Sequence, residues 1–196
     1  MARYLTATLF CEGREDARFL ENVLERQLIA FGLSGPGFEM GVVVPQLCRT
    51  VDHATRVDEA VRAAALHFDL VFVHHDWNER GKIEALGKRL AAELTSASRL
   101  VGVVPVRETE AWPLADQASF PRSRVKSPVL DLVRPRDVEA IPDPKALLEE
   151  TLGRPYDERV AEWIGERIDL GHLALVPAYA RFLNDLMTAL KELHFL

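Results

Sequence analysis

The apolar positions of this chain alternate between two textures, short continuous runs and longer stretches at helical spacing. Residues 4–10, 38–44, 70–73 and 100–104 are rich in β-branched, aromatic and leucine side chains and too short for helices, so each reads as a strand. Leu70-Val71-Phe72-Val73 has no polar alternation at all, the mark of a strand buried on both faces of a parallel sheet. Pro45 and Pro105 are expected to end the second and fourth strands. Between the strands, Phe19, Leu20, Val23, Leu24, Leu28 and Phe31 follow helical spacing after Glu15, and Gly32 is a natural stop. A second helix carries Val57, Val61, Ala65 and Leu66, and a third covers 79–94 with Ile83, Leu86, Leu90 and Leu94 on one stripe.

Strands alternating with helices indicate βαβ units and an α/β fold with a mainly parallel central sheet flanked by helices. Right-handed crossovers then place the C-terminal ends of the strands on one edge, where such sheets put their sites. After the fourth strand, 108–115 reads as a short helical segment. The texture changes at 120–144, where Pro121, Pro128, Pro135, Pro142 and Pro144 break any regular pattern. An extended connector over the surface is expected there. Its Arg122, Arg124 and Lys126 fit a solubilising loop slightly better than a strand-capturing patch. Helices at 144–152, 156–167 and 179–193 close the chain. The expected organisation is an α/β domain over 1–118, with the connector and C-terminal helices of 119–196 packed on it.

Composition narrows the function classes little. At 196 residues the chain suits one substantial domain, and its formal net charge of −6 argues against nucleic-acid binding driven by bulk charge. A local basic patch stays open. Cys11 and Cys48 have neither metal-site nor disulfide spacing and read as reduced buried thiols. The first ten residues lack the layout of a signal peptide, and no stretch approaches the ~18 apolar residues of a membrane span, so a cytoplasmic location is expected.

Chemistry concentrates where strands end. The 70–73 strand runs into His74, His75, Asp76 and Asn78, while Glu12 with Glu15, and Glu108 with Glu110, follow two other strands. Hard oxygen ligands gathered at one sheet edge suit Mg2+ or Mn2+. The plain alternative is that acidic loops at strand ends are simply solvated. His74 and His75 with Asp76 and Glu12 could form a zinc site, but neighbours on a strand point to opposite faces and both cannot easily reach one ion. Trp112 and Trp163 read as packing anchors, and Trp77 stays ambiguous.

These residues carry a resemblance. Glu12-Gly13-Arg14-Glu15 resembles the E-G-x-x-E opening motif of Toprim-type domains, and Asp76-Trp77-Asn78 resembles their D-x-D motif with Asn in the second place. Residues 106–116 (VRETEAWPLAD), Asp143-Pro144-Lys145 and the final Phe182-Leu183 helix resemble the DUF4276 family, related to the Toprim domains of OLD-type nucleases. The resemblance spans nearly the whole chain in order. It implies a Toprim-like fold and Mg2+- or Mn2+-dependent phosphodiester hydrolysis of DNA or RNA, in phage defence with an ATPase partner. It also implies Glu12, Asp76 and Glu110 as catalytic acids, with Asn78 joining them around the metal. Arg80 and Lys82 would contact phosphate, their plain reading being solvated residues at a helix start. The chain carries no G-x-x-x-x-G-K-[ST], so ATP use would belong to the partner. Two other classes compete: a catalytically weak binding or regulatory subunit, which Asn78 favours, and a small-molecule phosphohydrolase. Self-association is left open.

Overall fold

A computed structural model describes residues 3–11, 13–34, 38–47, 67–76, 81, 85, 99–121 and 133–196, the side chains at 3, 40, 42, 46 and 47 excepted. Its strands are β1 (Arg3–Cys11), β2 (Phe38–Leu47), β3 (Leu70–His74) and β4 (Arg99–Val103), joined in the order β2-β1-β3-β4. Every pairing is parallel, with Leu9 beside Phe72 and Phe72 beside Val101. This is the α/β architecture expected from the alternating pattern. Leu5, Ala7, Leu9, Leu70, Phe72, Val101 and Val103 belong to one continuous core, and Phe10, Val71 and Val73 on the opposite face are buried too. Burial on both faces explains why these runs are apolar without alternation.

Helix α1 (Arg14–Ser34) follows β1 directly, its first bond running from the Ala17 N–H to the Gly13 carbonyl at 3.2 Å. It passes the expected stop at Gly32 by one half turn because that glycine is buried against Phe38, not at a cap. Strand β2 likewise outruns Pro45, which pairs with Leu9. It lies at the edge of the described sheet, where a missing N–H removes no ladder bond. A register shift between Leu5 and Ala7 accompanies a bond from the Val43 N–H to Glu25 Oε1 at 2.8 Å.

Three 3-10 turns, Thr109–Ala111, Pro113–Ala115 and Gln117–Ser119, replace the single helical segment expected at 108–115. Pro113 cannot donate the bond that would carry one helix across the segment. Helices α2 (Pro144–Leu152), α3 (Glu158–Arg167), α4 (Leu170–Leu173) and α5 (Pro177–Glu192) complete the described chain. Trp112 is sealed in the core against Tyr179 of α5, ring centres 5.2 Å apart, as a packing anchor should be. Trp163 is not one: it is 42% exposed and stacked under the Arg167 guanidinium.

The connector also departs from expectation. Pro135–Ala140 forms a 3-10 helix with Val138 and Glu139 buried. Glu139 accepts from the Val106 N–H at 3.4 Å, the Trp112 indole at 3.3 Å and the Ala178 N–H at 3.0 Å. Prolines start this turn as readily as they end helices, so the segment docks on the core instead of draping over it. Residues 122–132 of the connector, with Arg122, Arg124 and Lys126, lie outside the described residues, as does Cys48. So do most of the helices expected at 52–66 and 79–94, although Gly81 and Ala85 are helical. Among the described residues, no helix is long and apolar enough to cross a membrane.

Candidate metal centre

The C-terminal end of β3 carries ligand-type side chains, and a residue not expected from sequence, Asp16, joins them. His74 is the last residue of the strand and Asp76 follows two places later, a spacing that turns both side chains to the same side. His74 Nε2 and Asp76 Oδ1 are 3.3 Å apart. Helix α1 begins beside this strand end, and its first turn adds Asp16. Ligand atoms of Asp16, His74 and Asp76 all lie within 4.8 Å of one another. Donors about 2.1 Å from a shared ion stand roughly 3–4 Å apart, a separation the His74–Asp76 pair meets at 3.3 Å and the 4.8 Å limit of the whole group exceeds. His75 takes no part in the group; it is buried, and its N–H donates to the Val103 carbonyl at 3.2 Å.

Thr109 locks the arrangement from the segment after β4. Its N–H and hydroxyl donate to Asp76 Oδ1 at 3.2 and 3.3 Å, and the same hydroxyl oxygen is 2.7 Å from His74 Nε2. Gly13 makes room from the other side. A Cβ there would stand 2.5 Å from Asp16 Oδ2, so only glycine lets that carboxylate lie back over the start of its helix.

Burial sets the electrostatics. It pushes the Asp16 carboxyl above the ordinary carboxylate range; His74 opposes the shift, Asp76 adds to it, and the Thr109 hydroxyl holds it back again. Glu110, 7% exposed, is raised by burial and then by Asp16, although Lys145 Nζ stands 3.1 Å from its Oε1. Burial therefore outweighs the ion pair. Glu108 is raised by burial and by repulsion from Glu110, Asp143 and Asp76, and its Oε2 is buried without a hydrogen-bond partner among the described residues. Burial works against the charge of Lys145, yet Glu110, with Glu15 and Glu149, holds its ammonium above the usual value. Tyr156 is raised well above a normal phenol by burial, then by Asp16, Glu110 and Glu15.

Of the residues expected from sequence, the structure brings Asp76 and Glu110 into one acidic neighbourhood, with Glu108 beside them. Glu12, Asn78, Arg80 and Lys82 lie outside the described residues. The sequence reading missed Asp16, which passes for a carboxylate favouring the helix dipole, and missed Thr109 and Lys145 as neighbours of the candidate ligands. The available signal for Asp16 was its place in the first turn after a buried parallel strand, at the edge where β3 also ends. Neither a family model, nor a curated protein, nor a solved structure matches the chain.

Proposed function

We infer that the chain hydrolyses phosphodiesters of DNA or RNA at a divalent-metal centre held by Asp16, His74 and Asp76, within a Toprim-type fold. The observation that carries this reading is the convergence of two carboxylates and one imidazole within 4.8 Å at the C-terminal end of a parallel strand. Burial, and to a smaller extent Asp76, raise the Asp16 carboxyl, and a bound cation would favour its charged form. The single imidazole moves the preference from Mg2+ toward Mn2+ or Zn2+. A cation there would polarise a phosphoryl oxygen and acidify a bound water. The chain's own residues do the rest. Thr109 fixes the rotamers of His74 and Asp76. Glu110, lifted by burial, suits proton transfer. Lys145, half exposed beside it, can meet charge growing on the phosphate, the task expected of Arg80 and Lys82. An ATPase partner belongs to the same proposal and rests on the resemblance alone.

One observation favours a second reading, a catalytically weak binding subunit: Asn78 stands where the resemblance expects a second Asp. Incubation with DNA, RNA and tRNA in Mn2+ or Mg2+ separates the two. Cleavage that disappears in Asp16→Asn and Asp76→Asn supports the hydrolase. Cleavage surviving both substitutions refutes the centre, and metal-dependent binding without cleavage selects the second reading.

A further inference from the structure

A cavity of about 290 Å3 opens where the start of α1 meets the end of β2. Among the described residues its walls are Arg14, Ala17 and Arg18 of α1, Pro45 of β2 and Glu158, the first residue of α3. Pockets for whole drug-sized ligands run to about 300–1,000 Å3, so this one suits one group of a larger ligand. Ala17 is buried and gives an apolar floor, while both arginines are exposed. Their partners hold them weakly. Arg14 Nη1 donates to Glu158 Oε1 at 3.5 Å, and Arg18 Nη1 donates to Glu21 Oε2 at 3.4 Å. Exposed ion pairs of this kind contribute about 0–1 kcal/mol, so an anionic ligand displaces them at little cost. In a chain of formal net charge −6, two guanidinium groups against one carboxylate around a cavity give a local preference for an anion.

We propose that Arg14 and Arg18 hold in this cavity a backbone phosphate of a nucleic-acid strand whose scissile phosphate lies at the Asp16–His74–Asp76 centre, an inference that rests on the function inferred above. The chain itself joins the two places, because Asp16 lies between Arg14 and Arg18 in the first turns of one helix. Each residue turns a helix by about 100°, so the arginines stand about 40° apart and roughly opposite Asp16. Cavity and centre therefore flank the start of α1, roughly 10–12 Å apart, the width of a helix with its side chains. Both lie toward the C-terminal ends of parallel strands, β2 and β3, on one edge of the sheet. A strand, unlike a mononucleotide, offers phosphates on both sides of that turn at once. Guanidinium groups meet phosphate with paired, charge-assisted bonds, which are stronger than an exposed ion pair at 3.5 Å. Glu158 works against the ligand: it repels phosphate and competes for Arg14.

Fluorescence anisotropy of a labelled single-stranded DNA of about 12 nucleotides on the full chain, without metal, tests the cavity apart from the centre. Arg14→Gln combined with Arg18→Gln should weaken binding about tenfold and lower the slope of log affinity against log salt by about 0.7, the share of one phosphate. Mn2+ affinity by electron paramagnetic resonance should stay within about threefold, because neither arginine is a candidate ligand. Glu158→Gln should tighten DNA binding by up to about fivefold. Weaker binding in that variant makes the Arg14–Glu158 pair a tether between helices and overturns the proposal. Unchanged affinity and slope in the arginine variant also overturn it, while Mn2+-dependent cleavage lost in Asp16→Asn leaves the hydrolase standing. Inorganic phosphate that competes mole for mole with the DNA assigns the cavity to a free anion and overturns the strand. Arginine-dependent binding without cleavage in Mn2+ supports the cavity and overturns the hydrolase instead.

Discussion

Replacing Glu139 by glutamine isolates what ties the C-terminal half of the chain to the candidate metal centre. The carboxylate accepts three bonds, to the Val106 N–H, the Trp112 indole and the Ala178 N–H. Two of its partners bracket the segment that carries Thr109 and Glu110; the third is the second residue of α5. An amide can keep its oxygen toward Val106 and Trp112 only by turning its NH2 toward the Ala178 N–H, donor against donor. The loss is one charge-assisted bond, about 1.5–3 kcal/mol, plus the penalty of an unsatisfied buried N–H, which overlaps with it. The opposite orientation sacrifices two longer bonds and is no better. We expect Glu139→Gln to destabilise by about 2–4 kcal/mol, read as a lower urea midpoint with an unchanged slope. For a chain of this size that is roughly 5–15 °C in unfolding temperature. Mn2+ affinity should fall as well, because Thr109 loses the support of its segment. Glutamine behaving within about 0.5 kcal/mol of glutamate would refute the claim that these bonds hold the segment in place.

Three further outcomes follow from the same structure. Asp16, Glu108 and Glu110 all have raised carboxyl pKa values, so the unfolded chain releases these protons first and metal-free stability should fall as pH rises above about 4. Thermal unfolding at pH 5.5 and 8 checks this, and Mn2+ should stabilise more at the higher pH, where its ligands are deprotonated. Gly13→Ala places a methyl 2.5 Å from Asp16 Oδ2 and should weaken Mn2+ binding by at least about tenfold, measured by the free-Mn2+ resonance signal. Gly165→Ala sets a Cβ 2.7 Å from the Phe19 carbonyl where α3 crosses α1, and the obstacle is backbone, so about 1–3 kcal/mol of stability should be lost in denaturant titration.

Most of the frame was legible in the sequence because burial on both faces of a parallel strand writes an unbroken apolar run. β3 and β4 fall within one residue of their expected bounds at each end, and α2 matches its expected range. Errors arose where a local rule met a tertiary exception. Pro45 ends a strand only if its N–H is needed, and on an edge strand such as β2 only every second N–H is. Proline-rich 133–143 reads as surface loop until Glu139 finds three donors in the core. Trp163 looks like a core residue by size alone, yet it stacks with Arg167 at the surface.

By itself the sequence determined that the chain is α/β, that its strands run parallel, and that Asp76 stands at the C-terminal end of a buried one. Those are consequences of hydrophobic periodicity and chain connectivity, both local enough to read residue by residue. Only the tertiary structure decided which side chains stand around Asp76. Asp16, His74 and Thr109 are spread over 94 positions, the interval between 16 and 109 counted inclusively, and no spacing rule links them. They meet because α1 starts beside the end of β3 and the turns after β4 fold back over that end. A carboxylate in a helix's first turn satisfies the helix dipole wherever it points. Its neighbour across space, which sequence does not record, makes it a candidate ligand.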